Sequence, residues 1–318
     1  MALDQLDTPL RISWDFHGKT EAMPLELVDC VVERLLEAGV FFVTLERQPL
    51  LHPRITKVLD RLFDGGCQSL VVCNGSDGEL AVLDSSLPLG GLFLDVSRWV
   101  ERGVLLRQPL ESAVAAVRSK GLEPNFYLVP NKANILLIPE LFDFCQGLGI
   151  GRIKLPNTPY DGSLTAEATG LLPGPDDLDR LAELLQRKPL SSSFKVGLDV
   201  HDLFLWELLQ PALGAQRGEY GGCQAGNSLG HVDFRGQLHP CSSWPQPLGL
   251  LTQQSIEALW ASPLRHRIRA EITARPQGCL GCGDYPLCFG GCRGLARSLN
   301  KPAGERDLLC RGPRPIRS

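Results

Sequence analysis

The chain has 318 residues, of which 43% are hydrophobic and 21% charged, and its formal net charge is −4. Such a length favours one large domain with a small appendage, and the negative charge argues against nucleic acid as the principal partner. The apolar runs are too short to cross a bilayer, and "MALDQLDTPL" lacks the charged and apolar regions of a secretory signal. We therefore expect a cytoplasmic protein without a membrane segment.

Short apolar runs alternate with amphipathic helical patterns through the first two hundred residues. In one such pattern Pro24 suits the first turn of a helix and Gly39 can end it. The predicted strands are 10–14, 41–46, 69–74, 92–96, 125–129, 152–155 and 194–198. The predicted helices are 24–39, 54–66, 111–121, 138–148 and 176–187. This alternation indicates an α/β fold with a parallel sheet covered by helices, either an open doubly wound sheet or a barrel.

The alternation ends in a stretch rich in glycine and proline near 199–222. We place a domain boundary there, with one domain at 1–210 and a second at 211–318. No GxGxxG follows the first strand and the chain has no Walker A sequence. No motif therefore supports a nucleotide-binding function.

The eleven cysteines fall into two groups. Four are scattered, and we interpret them as small hydrophobic core residues: Cys30, Cys67, Cys73 and Cys145. The other seven are clustered towards the end of the chain: Cys223, Cys241, Cys279, Cys282, Cys288, Cys292 and Cys310. An odd number excludes a complete set of internal disulfides, and metal binding is the better interpretation in a reducing compartment. With four sulfurs at each site, seven ligands make one complete site and one site with three cysteines.

Two kinds of metal centre use thiolate ligands of this sort. Zinc binds four of them in a tetrahedron, commonly from two CxxC pairs, whereas the clustered group contains one such pair, Cys279 and Cys282. Iron–sulfur cubanes use runs of closely spaced cysteines, the last of which can belong to a second cluster. A structural zinc module stays open as the alternative to iron–sulfur clusters.

The spacing of the seven clustered cysteines resembles that of the SPASM domain. This domain is the C-terminal module of many radical SAM enzymes that mature ribosomally made peptides. The stretches "GHVDFRGQLHPC", "SIEALWASPLRHRIR" and "CFGGCRGLA" resemble its hairpin, its connecting helix and its last cysteine pair. The resemblance implies two auxiliary [4Fe-4S] clusters. The complete cluster would be held by Cys279, Cys282, Cys288 and Cys310. The other would be held by Cys223, Cys241 and Cys292.

The three-cysteine cluster would lack a fourth cysteine, because Leu229 stands where some relatives carry one. Its fourth iron is then open or takes a ligand other than cysteine. His231, Asp233 and His239 are nearby in sequence. For all three we expect solvated side chains of a hairpin rather than ligands.

SPASM domains usually follow a radical SAM core, a partial (β/α)6 barrel of TIM type, and the resemblance implies this fold for 1–210. Such a core carries CxxxCxxC after its first strand, and the three thiolates hold the cluster that cleaves S-adenosylmethionine (SAM). Here "DFHGKTEAMPLELVDC" has no cysteine before Cys30, which lies in a predicted helix. After the second strand, Glu46, Arg47 and Gln48 replace the Gly-Gly-Glu that meets SAM, although "PLLHP" and "CNGS" are retained. We interpret the core as degenerate, and we expect neither SAM as a cofactor nor stand-alone radical SAM activity.

The chain resembles the cluster-less SPASM protein of GeoRSP-type systems. That resemblance implies a non-catalytic accessory subunit that relays electrons or presents a peptide or protein substrate. Its partners would be a catalytic radical SAM/SPASM protein and a small PqqD-like peptide chaperone. The alternative is a module that binds a peptide or a partner and whose clusters, or zinc, are purely structural. In a third hypothesis the chain is a surviving enzyme of another kind with Glu46, Arg47, His52 and Asp95 at the barrel mouth, but the sequence contains no recognisable spacing of a nucleophile and a base.

Overall fold

The computed structural model describes residues 6–159, 170–190, 196–209, 221–299 and 305–314. The chain divides into two units. The first draws on residues 1–95, 111–125 and 224–271, and the second on 96–110, 126–223 and 272–318. The predicted boundary between residues 210 and 211 lies outside the described residues and stays a prediction. Within the described ranges, no helix is long and apolar enough to cross a membrane.

Strands and helices alternate along most of the described chain. The strands are β1 (Arg11–Asp15), β2 (Phe42–Glu46), β3 (Gln68–Cys73), β4 (Gly91–Asp95), β5 (Val100–Glu101), β6 (Val104–Leu105), β7 (Pro124–Tyr127), β8 (Arg152–Leu155), β9 (Gly197–Val200), β10 (Leu229–Val232), β11 (Gln237–His239) and β12 (Gly249–Leu250). The helices are α1 (Leu25–Glu37), α2 (Ile55–Asp64), α3 (Asp77–Val82), α4 (Arg107–Ser119), α5 (Ile138–Leu148), α6 (Pro175–Arg187), α7 (Leu203–Leu209), α8 (Ile256–Trp260), α9 (Pro263–Thr273), α10 (Tyr285–Cys288) and α11 (Arg293–Ser298).

In the first unit, β1 to β4 form parallel neighbours in chain order. The other side of β1 pairs with β10, also in parallel, and β11 and β12 continue from β10 as antiparallel strands. In the second unit β7, β8 and β9 are parallel neighbours. The parallel α/β architecture expected from the sequence is confirmed.

Helices with one apolar face cover the parallel strands. The buried residues of α1 are Val28, Val31, Val32 and Leu35, which recur at the helical period. The helix follows the extended Pro24, and Gly39 beyond its end has a φ of +65°, a left-handed conformation that glycine adopts without strain. Trp14 and Phe16 are fully buried in the same unit. This burial, rather than helix propensity alone, stabilises the elements that carry the site.

Most predicted elements coincide with observed ones to within a few residues, and 138–148 and 152–155 coincide with α5 and β8. Helix α4 begins four residues earlier than predicted, because Pro109 fits its first turn, where no intrahelical N–H is needed. The connecting helix of the resemblance is two helices, α8 and α9, and Pro263 begins the second. Helices α3 and α7 are additions that the sequence patterns do not predict.

Candidate iron–sulfur centre

Four of the seven clustered cysteines line one cavity of the second unit. The cavity has a volume of about 410 Å³, and the thiols that face it belong to Cys279, Cys282, Cys288 and Cys310. These are the four residues that the sequence analysis assigns to the complete cluster. The structure brings all four to one place, although Cys310 is far from the others along the chain.

Tight turns position the first three of these cysteines. Cys279 ends a 3₁₀ turn, and the N–H of Cys282 donates to the carbonyl oxygen of Cys279 at 3.2 Å. Cys288 ends α10, and the chain then reverses through 289–291, three consecutive residues with positive φ. Two of those three positions are glycine, which adopts the left-handed conformation without strain. The turn can therefore pass close to a bulky centre.

Main-chain N–H groups of the C-terminal segment approach two of the sulfurs. The N–H of Arg314 donates to Sγ of Cys282 at 3.4 Å, and that of Gly312 donates to Sγ of Cys310 at 3.4 Å. Hydrogen bonds of this kind stabilise negative charge on sulfur and tune the potential of a cluster that the sulfur ligates.

The four thiols are close enough to oppose one another's ionisation. Burial, and then the neighbouring thiols of Cys288, Cys310 and Cys282, raise the pKa of Cys279 to about 11, although Arg293 lowers it. Metal centres bind thiolates, so a cationic core among the sulfurs would offset this repulsion. Within the described ranges, no three His, Cys, Asp or Glu side chains are arranged to hold a single metal ion. Four soft donors around one cavity fit an iron–sulfur core.

Apolar side chains from two helices complete the wall of the cavity. Leu178 and Ala182 come from α6, and Phe204 and Leu208 come from α7. An apolar wall limits the access of water, and water access is one determinant of a cluster's potential. The sequence does not predict this wall, because α7 is short and borders a stretch rich in glycine and proline.

The remaining three clustered cysteines are divided between the two units. Cys223 and Cys292 belong to the second unit and Cys241 to the first. Within the second unit, a Cβ on Gly222 would lie 3.3 Å from the side chain of Phe289. The chain just before Cys223 therefore packs against the turn that leads to Cys292. The assignment of Cys223, Cys241 and Cys292 to one cluster stays a prediction.

The expectation that His231 and His239 are solvated side chains is wrong. Their exposures are 3% and 6%, because β10, which carries His231, lies between β1 and β11, and β11, which carries His239, lies between β10 and β12. Ser13 Oγ and Nδ1 of His231 are 2.8 Å apart. Burial lowers the pKa of His231 to about 3, so its ring is neutral. Asp233 is half-buried, and its Oδ1 accepts the N–H of Gln237 at 2.8 Å within the hairpin.

Three of the four scattered cysteines are buried, as predicted: Cys67, Cys73 and Cys145. Cys30 is half-buried, and its Sγ donates to the carbonyl oxygen of Leu251 at 3.5 Å. Burial raises the pKa of Cys67 to about 11 and also raises that of Cys145. Both stay protonated thiols at neutral pH, and neither lines the four-cysteine cavity.

The loop after β1 folds as a small closed turn. His17 and Ala22 pair in an antiparallel bridge, and the N–H of Gly18 donates to the carbonyl oxygen of Glu21 at 2.8 Å. A Cβ on Gly18 would lie 2.7 Å from the ring of Phe234, so this position has no room for a side chain. Radical SAM cores carry three cysteines in this loop, and here the loop is closed by hydrogen bonds and packing instead.

An arginine stands at the end of β2, where a Gly-Gly-Glu sequence is expected. Arg47 and Gln48 have φ values of 57° and 58°, a left-handed conformation that normally favours glycine. Nε of Arg47 lies 2.7 Å from Oδ2 of Asp15, whose side chain is buried. The carbonyl oxygen of Arg47 also hydrogen-bonds to Nδ1 of His17 at 2.9 Å. The ion pair therefore joins the loops after β1 and β2.

The retained His52 has a structural contact. It is buried, and its Nε2 lies 2.9 Å from the carbonyl oxygen of Met23. Burial lowers the pKa of His52, so its ring is neutral and donates to that oxygen. His52 thus fastens the loop after β2 to the segment that precedes α1.

The retained "CNGS" loop is held by a buried carboxylate. Both oxygens of Glu79 accept the N–H of Asn74, and Oε2 also accepts the N–H and the hydroxyl of Ser76. Ser76 Oγ in turn accepts the N–H of Glu79, which completes a capping box at the start of α3.

We expect Glu79→Ala to lower the free energy of unfolding by about 3 kcal/mol, because it leaves several donors of the "CNGS" loop without an acceptor. Chemical denaturation of the purified protein measures this. The exposed Asp77 lies in the same helical turn, and Asp77→Asn should change stability by less than about 0.5 kcal/mol. Equal stability of the Glu79→Ala variant and the wild type would contradict the assigned role of Glu79.

Comparisons with known proteins agree with this geometry. A family model described as SPASM, an iron-sulfur cluster-binding domain, matches residues 223–283. The PqqA peptide cyclase of Methylorubrum extorquens (strain PA1) is 25% identical over an alignment of 288 residues. The alignment covers 86% of this chain and 72% of the cyclase. Streptococcus suis SuiB, solved with its precursor peptide SuiA, superposes with a TM-score of 0.70 at 18% identity over 97% of this chain and 77% of SuiB.

A second solved structure, anSMEcpe with bound AdoMet and a peptide, superposes with a TM-score of 0.68 at 15% identity over 95% of this chain and 94% of anSMEcpe. The likeness to both structures confirms the predicted fold, a partial α/β barrel of radical SAM type followed by a SPASM domain. The SPASM domain makes this an iron–sulfur protein by type, with the number of clusters still a prediction. The SPASM match and these likenesses support the radical SAM/SPASM superfamily for this chain.

Proposed function

We propose that this chain is an accessory protein of a peptide-maturation system, with two auxiliary [4Fe-4S] clusters and without a SAM-cleaving cluster of its own. One observation carries the proposal. The cysteine-rich segment keeps its ligands, and four of them line one cavity, whereas the two SAM-facing loops hold a closed turn and the Arg47–Asp15 ion pair.

We assign the seven clustered cysteines to two clusters. Cys279, Cys282, Cys288 and Cys310 hold the complete cluster, and Cys223, Cys241 and Cys292 hold the second. The number of clusters and the membership of the second rest on the resemblance to SPASM domains. A cluster of this type supplies one-electron transfer, and the protein supplies its ligands, its hydrogen bonds to sulfur and its apolar wall.

A peptide is the proposed substrate class, and a catalytic radical SAM/SPASM protein with a PqqD-like chaperone are the proposed partners. The named relatives support the substrate class, because one is a PqqA peptide cyclase and another is solved with the precursor peptide SuiA. The lack of a CxxxCxxC sequence in this chain supports the need for a catalytic partner.

Exposed apolar side chains around the four-cysteine site support contact between this site and another protein. Leu280 is 61% exposed, Leu287 44% and Phe289 41%, and each is a chain neighbour of a cysteine of that site. Exposed large apolar residues next to a redox centre are typical of surfaces that meet another protein. In the competing hypothesis the clusters only stabilise a small domain that binds a peptide or a partner.

The variant Cys223→Ser distinguishes these two functions. If the three-cysteine cluster relays electrons, we expect a stable protein that loses about half of its iron and no longer supports turnover by its catalytic partner. If that cluster only stabilises the domain, the melting temperature should fall by about 10 °C or more.

Cys30→Ser is the matched control, because Cys30 is a half-buried thiol outside the seven clustered cysteines and serine can also donate to the carbonyl oxygen of Leu251. It should keep full iron and full support of turnover. An anaerobically reconstituted wild-type protein that takes up no electron at low potential would contradict the relay.

A further inference from the structure

A buried carboxylate outside the cysteine set joins the segments that carry two of the cysteines. Asp307 is 4% exposed and lies three residues before Cys310. Its Oδ2 accepts the N–H of Cys292 at 2.6 Å, and its Oδ1 accepts the N–H of Leu309 at 2.7 Å. Its main-chain carbonyl oxygen accepts the N–H of Cys310 at 3.2 Å. One residue thus contacts the turn at Cys292 and shapes the turn at Cys310.

The close packing of this carboxylate explains why residue 291 of the turn is glycine. A Cβ on Gly291 would lie 2.5 Å from Oδ2 of Asp307 and 2.8 Å from its Cβ. Gly291 also has a φ of +68°, so a side chain there would be strained as well as crowded. The turn and the carboxylate are therefore shaped for each other.

The other polar contacts of residues 305–314 are more exposed or lie farther from Cys310 along the chain. Arg311 forms ion pairs with Asp176 and Asp179, and all three side chains are more than half exposed. Exposed ion pairs contribute little, whereas charge-assisted hydrogen bonds to a buried carboxylate are strong. Nη1 of Arg293 donates to the carbonyl oxygen of Glu305 at 2.8 Å, five residues before Cys310. Four residues after Cys310, the N–H of Arg314 donates to Sγ of Cys282 at 3.4 Å, and its carbonyl oxygen accepts the N–H of Gly283 at 2.9 Å. Both sets of contacts lie farther from Cys310 along the chain than Asp307 does.

We propose that Asp307 is a positioning residue that delivers Cys310 to the four-cysteine cavity by fastening its segment to the turn at Cys292. This inference deepens the proposed function and rests on its complete cluster. Without the carboxylate, the three other cysteines would remain in their turns and the fourth ligand would be lost. The same hydrogen bond would also couple the segment of a ligand of one cluster to that of a ligand of the other.

The test compares Asp307→Ala and Asp307→Asn with Cys310→Ala by iron content and electron paramagnetic resonance (EPR) of the anaerobically purified full chain. We expect Asp307→Ala to reproduce the iron loss and the altered spectrum of Cys310→Ala. Asparagine keeps one acceptor oxygen, so Asp307→Asn should show a smaller loss. Asp179→Asn, which removes an exposed partner of Arg311, should retain the wild-type spectrum. Wild-type iron and spectrum in Asp307→Ala, beside a changed Cys310→Ala, would overturn the inference.

A second measurement needs no cluster. In apoprotein, a short dithiol-reactive crosslinker should join Cys310 to a cysteine of the 279–288 segment, with the product identified by mass spectrometry. We expect Asp307→Ala to reduce this yield about tenfold relative to wild type, and an unchanged yield would overturn the inference. If wild type and Cys310→Ala both lack iron while the crosslink depends on Asp307, the proposed function fails and the positioning role stands.

Discussion

At pH 8, Arg47→Gln should lower the free energy of unfolding by about 2 kcal/mol, and at pH 5 by well under 1 kcal/mol. Glutamine keeps most of the side-chain length and the same left-handed backbone, so the substitution removes chiefly the charge. The loss at pH 8 arises because ionised Asp15 is buried beside Arg47 and would keep no cation within hydrogen-bond distance among its described partners.

The pH dependence follows from Asp15. Burial raises the pKa of Asp15 from its ordinary 3.8 to about 7, Arg47 opposes this rise, and Glu46 and Asp233 add to it. The folded state therefore holds this proton more tightly than the unfolded chain, and stability falls as the pH rises from about 4 to about 7. Without Arg47 the pKa rises further, so the fall continues to higher pH. At pH 5, below the folded-state pKa of about 7, Asp15 is protonated, so Arg47 contributes little to stability there.

Thermal melting of the wild type and the Arg47→Gln variant at pH 5 and pH 8 measures how the loss of stability depends on pH. The control compares the double variant Asp15→Asn/Arg47→Gln with Asp15→Asn. Without the carboxyl group, the effect of Arg47→Gln on stability should no longer depend on pH. A loss of equal size at both pH values in the single variant would show that Arg47 acts by packing rather than by charge.

Removal of two ligands from the four-cysteine cavity should have the largest effect of all. We expect Cys282→Ala/Cys288→Ala to retain about four of about eight iron ions and to melt at least about 10 °C lower, because cluster binding and folding of such a small segment are coupled. Iron analysis and thermal melting under anaerobic conditions measure both effects.

Cys67→Ala/Cys145→Ala removes the same number of thiols from the core and should keep full iron. Both of these thiols are buried in the core, and neither lines the four-cysteine cavity. Full iron in the Cys282→Ala/Cys288→Ala variant would contradict the assignment of the complete cluster.

The elements that the sequence predicts well are those whose evidence is local. Helix α5 has a continuous apolar period and a glycine at its end, and its predicted bounds coincide with the observed ones. The four-cysteine site is anticipated because its members keep a recognisable spacing. Helix α3 is not among the predicted helices, although Ser76 and Glu79 have the spacing of a capping box, which indicates the start of a helix.

The features that were missed depend on contacts between distant segments. His231 is buried because β10 pairs with β1, and its partner Ser13 is 218 residues away. A hairpin pattern alone contains no information about that second neighbour. The role of Asp307 likewise depends on the N–H of Cys292, fifteen residues earlier, and a single aspartate in an irregular segment has no periodicity to reveal it.

The central claim is that the chain keeps auxiliary iron–sulfur clusters and has lost the cluster that cleaves SAM. Iron and acid-labile sulfide per chain after anaerobic purification test it most directly. Two auxiliary [4Fe-4S] clusters predict about eight of each. About twelve would mean that a third cluster is bound, and colourless protein with zinc in place of iron would contradict the account altogether.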